Sequence, residues 1–279
     1  MKSSSPGITY VGTHSPRLKA ARRLAKRAFR DRDRAFLAEG PQAVGEAFAH
    51  RAVITDLFVT AAARAKHAAL VDAIAAAGVP VHLVNDATMS ELAQTVTPQG
   101  LLAVCRFVDV TLGDALAGAP KLIAVLANVR DPGNAGTVLR AADAAGADAV
   151  VFADASVDPY NAKCVRASAG SLFHLPVVAD VRLADAVSGL REAGLRVVAA
   201  DGRVGRSLDD PDVRQRLAAP TAWVFGNEAW GLPQELVALT DEAVAVPIYG
   251  QAESLNLATA AAVCLYASAQ SQNVNENSV

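Results

Sequence analysis

Three stretches of the chain combine glycine, amide and charged residues at spacings that could do chemistry. The first is Asn128-Val129-Arg130-Asp131-Pro132-Gly133-Asn134-Ala135-Gly136, which runs into Thr137-Val138-Leu139-Arg140. Gly and Pro allow a tight turn there, and Asn134 is a good helix cap. Arg140 is expected about one turn into the helix, where its guanidinium could reach back to the helix mouth and meet a phosphate or another oxygen. A capped helix carrying a surface arginine is the plain alternative. In the second stretch, Phe225-Gly226-Asn227-Glu228-Ala229-Trp230-Gly231-Leu232-Pro233, two glycines flank a carboxylate and an aromatic ring. Glycine permits close approach of backbone to a ligand, although a turn into a helix begun by Pro233 would use the same residues. The third stretch, Val246-Pro247-Ile248-Tyr249-Gly250-Gln251-Ala252-Glu253-Ser254-Leu255-Asn256-Leu257, ends at an apolar helix for which Ser254 could simply be the cap.

Each of these stretches follows an apolar run that reads as a strand. The runs are Leu122–Leu126, Ala149–Phe152, Arg196–Ala200, Ala222–Phe225 and Ala243–Val246, with helical patterns near 136–145, 160–168, 183–193, 234–239 and 255–269. Strands and helices alternating at this spacing predict a parallel sheet covered on both faces. Such sheets bind ligands at the carboxyl ends of their strands. Upstream, Val53–Thr60, Val79–Val84 and Leu101–Val108 read as strands, and Ala62–Ala77 as a helix, so residues 1–110 form a small α/β domain. The small-residue segment 111–120 marks the boundary, and 119–279 is the second domain.

Composition narrows the function. The chain has 279 residues, 52% of them hydrophobic, and a net charge of −2. The charge is uneven: residues 1–106 hold 14 Lys/Arg against 8 Asp/Glu, and the remainder holds 12 against 20. Nine of those cations fall within Arg17–Arg34, where Leu18, Ala21, Ala25 and Ala28 recur at helical spacing. That density predicts a phosphate-facing helix, with Arg22, Arg23, Lys26 and Arg27 as its contacts. The three cysteines lack a CxxC and the five histidines lack HxxxH spacing, so a disulfide framework and a metal site are not expected. Apolar runs fall short of the roughly 18 residues a bilayer requires, and Met1–Gly7 lacks the apolar stretch of a secretory signal. A cytoplasmic protein is expected. GxGxxG, GxSxG, Walker A and HExxH are all absent. A ligand would therefore be held without a phosphate cradle. S-adenosylmethionine, a sulfonium nucleoside without phosphate, meets that condition.

Taken together, the three loops resemble the signature motifs of the SpoU (TrmH-type) RNA ribose 2′-O-methyltransferases of the SPOUT class. Residues 128–140 match N-x-R-D-P-x-N-x-G-x-x-x-R at every fixed place. Gly226-Asn227-Glu228-x-x-Gly231-Leu232 matches the second motif, and Pro247-Ile248 followed by Ser254-Leu255-Asn256 matches the third. The resemblance implies a C-terminal domain knotted as a deep trefoil, and S-adenosylmethionine held by the loops at Gly226, Val246, Ile248 and Leu255 with Val198–Asp201 as a further wall. It also implies a homodimer whose RNA site crosses the interface. Arg140 matches the family's catalytic arginine, with Asn134, Glu228, Ser254 and Asn256 holding the arginine, the loops and the RNA. Arg166, in a segment similar to one that binds substrate in the family, is a further expected RNA contact. The front domain is similar to the substrate-binding domain of members that act on ribosomal RNA, which makes 23S RNA the expected substrate. A transfer-RNA enzyme, or a non-catalytic RNA-binding or assembly protein on the same fold, remains the alternative.

Overall fold

In the computed structural model, residues 8–12, 15–50, 53–227 and 229–276 are described. They fall into two units: the chain up to Val108 together with Tyr160–Phe173, and Asp109–Pro159 together with His174 onward.

The first unit holds β1 (Ile8–Tyr10), α1 (Pro16–Arg23), α2 (Arg27–Asp33), β2 (Ala35–Glu39), α3 (Pro41–Ala49), β3 (Ile54–Thr60), α4 (Ala61–Lys66), α5 (Ala68–Ala76), β4 (Val81–Val84), α6 (Asp86–Leu92) and β5 (Leu101–Arg106). Its five strands run in the order β1-β4-β3-β5-β2. β3 and β1 pair parallel to β4, whereas β5 is antiparallel to both β3 and β2.

Two corrections arise in this unit. The basic stretch is two helices, not one. α1 stops at Leu24, and α2 begins three residues later. Leu18, Ala21 and Leu24 are buried, but Ala25 and Ala28 are exposed, so the apolar stripe does not continue across the break. Arg30 seals the joint: its guanidinium is buried, and Nη1 donates to the carbonyls of Leu24 (2.9 Å) and Ala25 (3.0 Å). Those are carbonyls that a helix end leaves without intrahelical partners. The second correction is the strand β2, where sequence patterning suggested no element. Its Phe36 is fully buried, with ring centroids 4.7 Å from Tyr160 and 6.0 Å from Phe173. Residues 160–173, including α9 (Ala162–Ala167), thus serve the core of the first unit.

The second unit contains α7 (Leu112–Leu116), β6 (Leu122–Ala127), α8 (Pro132–Ala144), β7 (Ala149–Ala153), β8 (Val177–Val181), α10 (Leu183–Glu192), β9 (Arg196–Ala200), α11 (Pro211–Arg216), β10 (Thr221–Phe225), α12 (Gln234–Val237), β11 (Glu242–Val244) and α13 (Leu257–Glu276). Six strands pair parallel in the order β11-β9-β10-β6-β7-β8. One row of side chains crosses the whole sheet: Ala243, Ala199, Val224, Val125, Val151 and Val178. All but Ala243 are buried, each buried valine contributing roughly 1.5–3 kcal/mol. On the opposite face, the buried Trp223 donates its indole N–H to Ser268 Oγ of α13 at 2.9 Å. Both faces are therefore covered, which explains why these strands are almost wholly apolar. Because every strand points the same way, the turns after β6, β9, β10 and β11 emerge at one edge. No described helix is long and apolar enough to cross a membrane.

Candidate active site

The turn after β6 is built by a carboxylate rather than an amide. Asp131 is the N-cap of α8, its Oδ1 accepting from Asn134 N at 2.8 Å, with Pro132 at the first helical position. Asn134, expected as the cap, sits inside the first turn, and its side chain is engaged elsewhere. Its Oδ1 accepts from Asn256 Nδ2 at 3.0 Å. Asn256 in turn caps α13, its Oδ1 accepting from Ala258 N (2.9 Å) and Thr259 N (3.4 Å). One amide–amide bond thus ties together two helix N-termini that are 122 residues apart in the chain. Both helix ends carry partial positive charge and favour an oxyanion nearby. Ser254, the other candidate cap, is exposed, precedes the helix and makes no hydrogen bond among the described residues.

Asn227 joins the second loop to the first. It is 6% exposed, and its Nδ2 donates to the carbonyl of Asn128, a residue held at φ +59°. Its backbone pairs with Gly231 in both directions, at 3.0 and 2.9 Å. This fold-back presses the chain so close that a Cβ at Gly226 would lie 2.5 Å from the Gly231 carbonyl carbon. Only glycine fits without moving backbone. Gly231 itself has φ +70°, where side chains are strained. Glu228 lies outside the described residues.

Against this loop opens a cavity of about 560 Å³. Gly226, Val246, Ile248 and Leu255, the four residues expected to hold a cofactor, all line it, as do Ser254 and Ala200–Asp201. Sequence reading missed Arg203 and Glu253, which also line it; the signal was the Asp-Gly-Arg run after β9 and the residue just ahead of Ser254. Asp201 Oδ1 and Oδ2 accept from Arg203 Nε and Nη2, both at 2.8 Å, and Arg203 Nη2 also donates to the Leu232 carbonyl at 2.5 Å. The fork fastens the turn after β9 to the end of the turn after β10. Hydrogen bonding from Arg203 holds the Asp201 carboxyl below the usual carboxylate range and raises Arg203 above its ordinary value.

Arg140 is placed differently from expectation. It lies in the third turn of α8, six residues past Asn134, or about 9 Å along the axis. It is exposed, makes no hydrogen bond or ion pair among the described residues, and does not line the cavity of its own chain. The expected RNA contacts in the first unit vary in freedom. The Lys26 ammonium is exposed with no described partner, and Arg23 lies 5.5 Å over the Phe29 ring. Arg27 reaches Asp31 at 3.4 Å, and Arg22 is paired with Glu91. Arg166 faces Glu39 at 3.5 Å, within the first unit; Glu39 also accepts from Gln94 N at 3.1 Å.

Known proteins resemble this chain in sequence and in fold. The SpoU rRNA Methylase family matches residues 121–266, and the MRM3-like substrate binding domain matches residues 15–103. A 23S rRNA guanosine 2′-O-methyltransferase of Bacillus subtilis is 34% identical over 252 residues, covering 90% of this chain and 94% of its own. An AdoMet-bound rRNA methyltransferase from Sinorhizobium meliloti superposes with a TM-score of 0.81 at 30% identity, covering 94% of this chain and 98% of its own. The SpoU methyltransferase AviRb of Streptomyces viridochromogenes, solved with AdoMet, gives 0.80 at 28% identity, over 94% and 100%. With more than half the sequence matched and relatives aligned nearly end to end, the chain belongs to the SpoU rRNA methylase family.

Proposed function

We propose that this protein is an S-adenosylmethionine-dependent enzyme that methylates a ribose 2′-hydroxyl in ribosomal RNA, within the 23S molecule. One observation carries the reading: residues from the turn after β9 and from the second and third motifs line a single cavity whose wall admits no Cβ at Gly226. Its volume of about 560 Å³ suits a nucleoside-sized ligand. Backbone and apolar side chains make up much of its wall, with Asp201, Arg203 and Glu253 as the charged members among the described residues, and the sequence carries neither GxGxxG nor Walker A, which fits a donor without phosphate. When bound, S-adenosylmethionine supplies a methyl group made electrophilic by its sulfonium. Gly226, Val246, Ile248 and Leu255 hold the donor, and the C-terminal segment leading into α13 threads the trefoil knot of this class.

The chain's other residues place the acceptor. Asn134 and Asn256 hold the mouths of α8 and α13 side by side, where their dipoles favour the phosphate oxygens that flank the ribose. Ser254, which lines the cavity, and Glu228 help to hold the loops and the RNA. Arg140 orients and polarises the 2′-hydroxyl and neutralises the adjacent phosphate. With a guanidinium pKa above about 12 it is a poor base, so positioning rather than proton abstraction is its contribution. An arginine outside its own chain's cavity is available to the cavity of a second copy, which agrees with a homodimer whose RNA site crosses the interface. Residues 1–110, with Arg22, Arg23, Lys26 and Arg27, dock the RNA, joined by Arg166 from the segment 160–173 that belongs to the first unit, and the rest of residues 119–279 carries the chemistry. DNA, lacking the 2′-hydroxyl, is not a substrate. The working compartment is the cytoplasm, where ribosomal RNA is made and folded.

The test is transfer of labelled methyl to 23S RNA, with ribose methylation mapped in cells with and without the protein. One position should lose its methyl when the protein is absent. Arg140→Ala should lower turnover about 100-fold or more while donor affinity persists. Incorporation into RNA unaffected by that substitution would remove Arg140 from its assigned place.

A further inference from the structure

The cavity has an unbalanced charge. Three ionisable side chains among the described residues line it: Asp201, Arg203 and Glu253. Asp201 and Arg203 neutralise one another through two bonds of 2.8 Å. Glu253 is exposed and makes no hydrogen bond or ion pair among the described residues. It stands next to Ser254 and three residues ahead of Asn256, whose side chain reaches Asn134 at 3.0 Å. The uncompensated carboxylate therefore sits in the segment that links the cavity to the paired helix mouths.

Methyl transfer changes the ligand's charge at one atom. The donor carries a sulfonium cation, and the product left behind is a neutral thioether. A fixed negative charge near that atom favours the donor over the product, and the preference rises as the bound ligand displaces water from between them. We propose that Glu253 is a specificity-determining residue of the donor site: its carboxylate selects the cationic donor over the spent, neutral one and so speeds exchange after each transfer. This inference rests on the donor reading above.

The fluorescence of Trp230 offers a direct readout, because it lines the cavity and is 56% exposed, whereas Trp223 is fully buried. Three ligands should be titrated into the full-length protein: S-adenosylmethionine, S-adenosylhomocysteine and sinefungin, whose amine replaces the sulfonium with another cation. Glu253→Gln should weaken S-adenosylmethionine and sinefungin about fivefold to tenfold and leave S-adenosylhomocysteine unchanged. Glu253→Asp should keep part of the preference, and salt should erode it in the wild type. Equal weakening of all three ligands, or of none, would overturn the assignment while leaving the donor site standing. Failure of the wild-type protein to bind any of the three would overturn the donor reading and this inference with it.

Discussion

The cavity proposed for the donor and the basic face proposed for the RNA would solve recognition by opposite means. The cavity is shaped by backbone: a glycine with no room for a Cβ, an asparagine that pairs with Gly231 across its own loop, and strand ends fixed by a fully buried sheet. Few of its contacts survive a change of residue type. The basic face is made of long side chains on two short helices, several of them already engaged: Arg22 with Glu91, Arg27 with Asp31, and Arg30 inside the joint. There the useful quantity is charge density, and one cation can stand in for another. Shape fixes a small ligand in one pose; charge gathers a large polyanion without fixing its sequence.

The contrast breaks if a single methyl group in the cavity is tolerated. Gly226→Ala places carbon 2.5 Å from the Gly231 carbonyl carbon and 2.6 Å from Leu232 N, both backbone atoms that cannot swing aside. Overpacking of that kind costs about 1–3 kcal/mol, and here it must displace the wall proposed to hold the donor. Donor affinity should fall roughly 10- to 100-fold by calorimetry, with RNA affinity and the circular-dichroism spectrum little changed. Unaltered donor binding would mean that the fold-back of residues 226–232 is not part of the site.

The same contrast decides what could be read from the sequence. The second loop's glycines were legible because backbone geometry forces them, the three loops as a set because they resemble the family's motifs, and the alternating strands because a sheet buried on both faces admits little but apolar residues. Asp131 was passed over as the cap of α8 because Asn134, three residues on, carries an equally suitable side chain; which of the two caps depends on Asn256, distant in the chain. β2 was missed because Phe36 acquires its partners from Tyr160 and Phe173, far down the chain. The break between α1 and α2 has no Gly or Pro to announce it. It depends on a buried arginine in a stretch where every arginine looks alike.

On the basic face the expected effect is smaller and spread out. Replacing Arg23, Lys26 and Arg27 together by Ala should weaken RNA binding about tenfold at moderate salt. The slope of log affinity against log salt should fall by up to about two to three, since each lost phosphate contact removes roughly 0.7 to 0.9 from it. Arg30→Ala, by contrast, should lower thermal stability and leave the slope alone, because its guanidinium caps carbonyls and is buried. Equal loss of slope in both variants would mean that the break between the helices, rather than the exposed cations, meets the RNA.

The finest distinction lies in the Asp201–Arg203 fork, where a charge pair serves shape. The fork's bonds depress the Asp201 carboxyl in the folded protein, so the unfolded chain binds its proton more readily. The stabilisation is therefore fully present above the ordinary carboxylate pKa of about 3.9 and is lost as pH falls through the lower folded value. Asp201→Asn should lower the melting temperature by a degree or two at pH 7, because Arg203 is exposed and part of the pair's attraction is screened by solvent. The gap between variant and wild type should narrow once the pH drops below about 4. Donor affinity should follow the same course, falling a few-fold at neutral pH as the Leu232 carbonyl loses its hold. If melting temperature shifts but donor affinity does not, the fork steadies the sheet edge and the cavity keeps its form through the glycine fold-back alone.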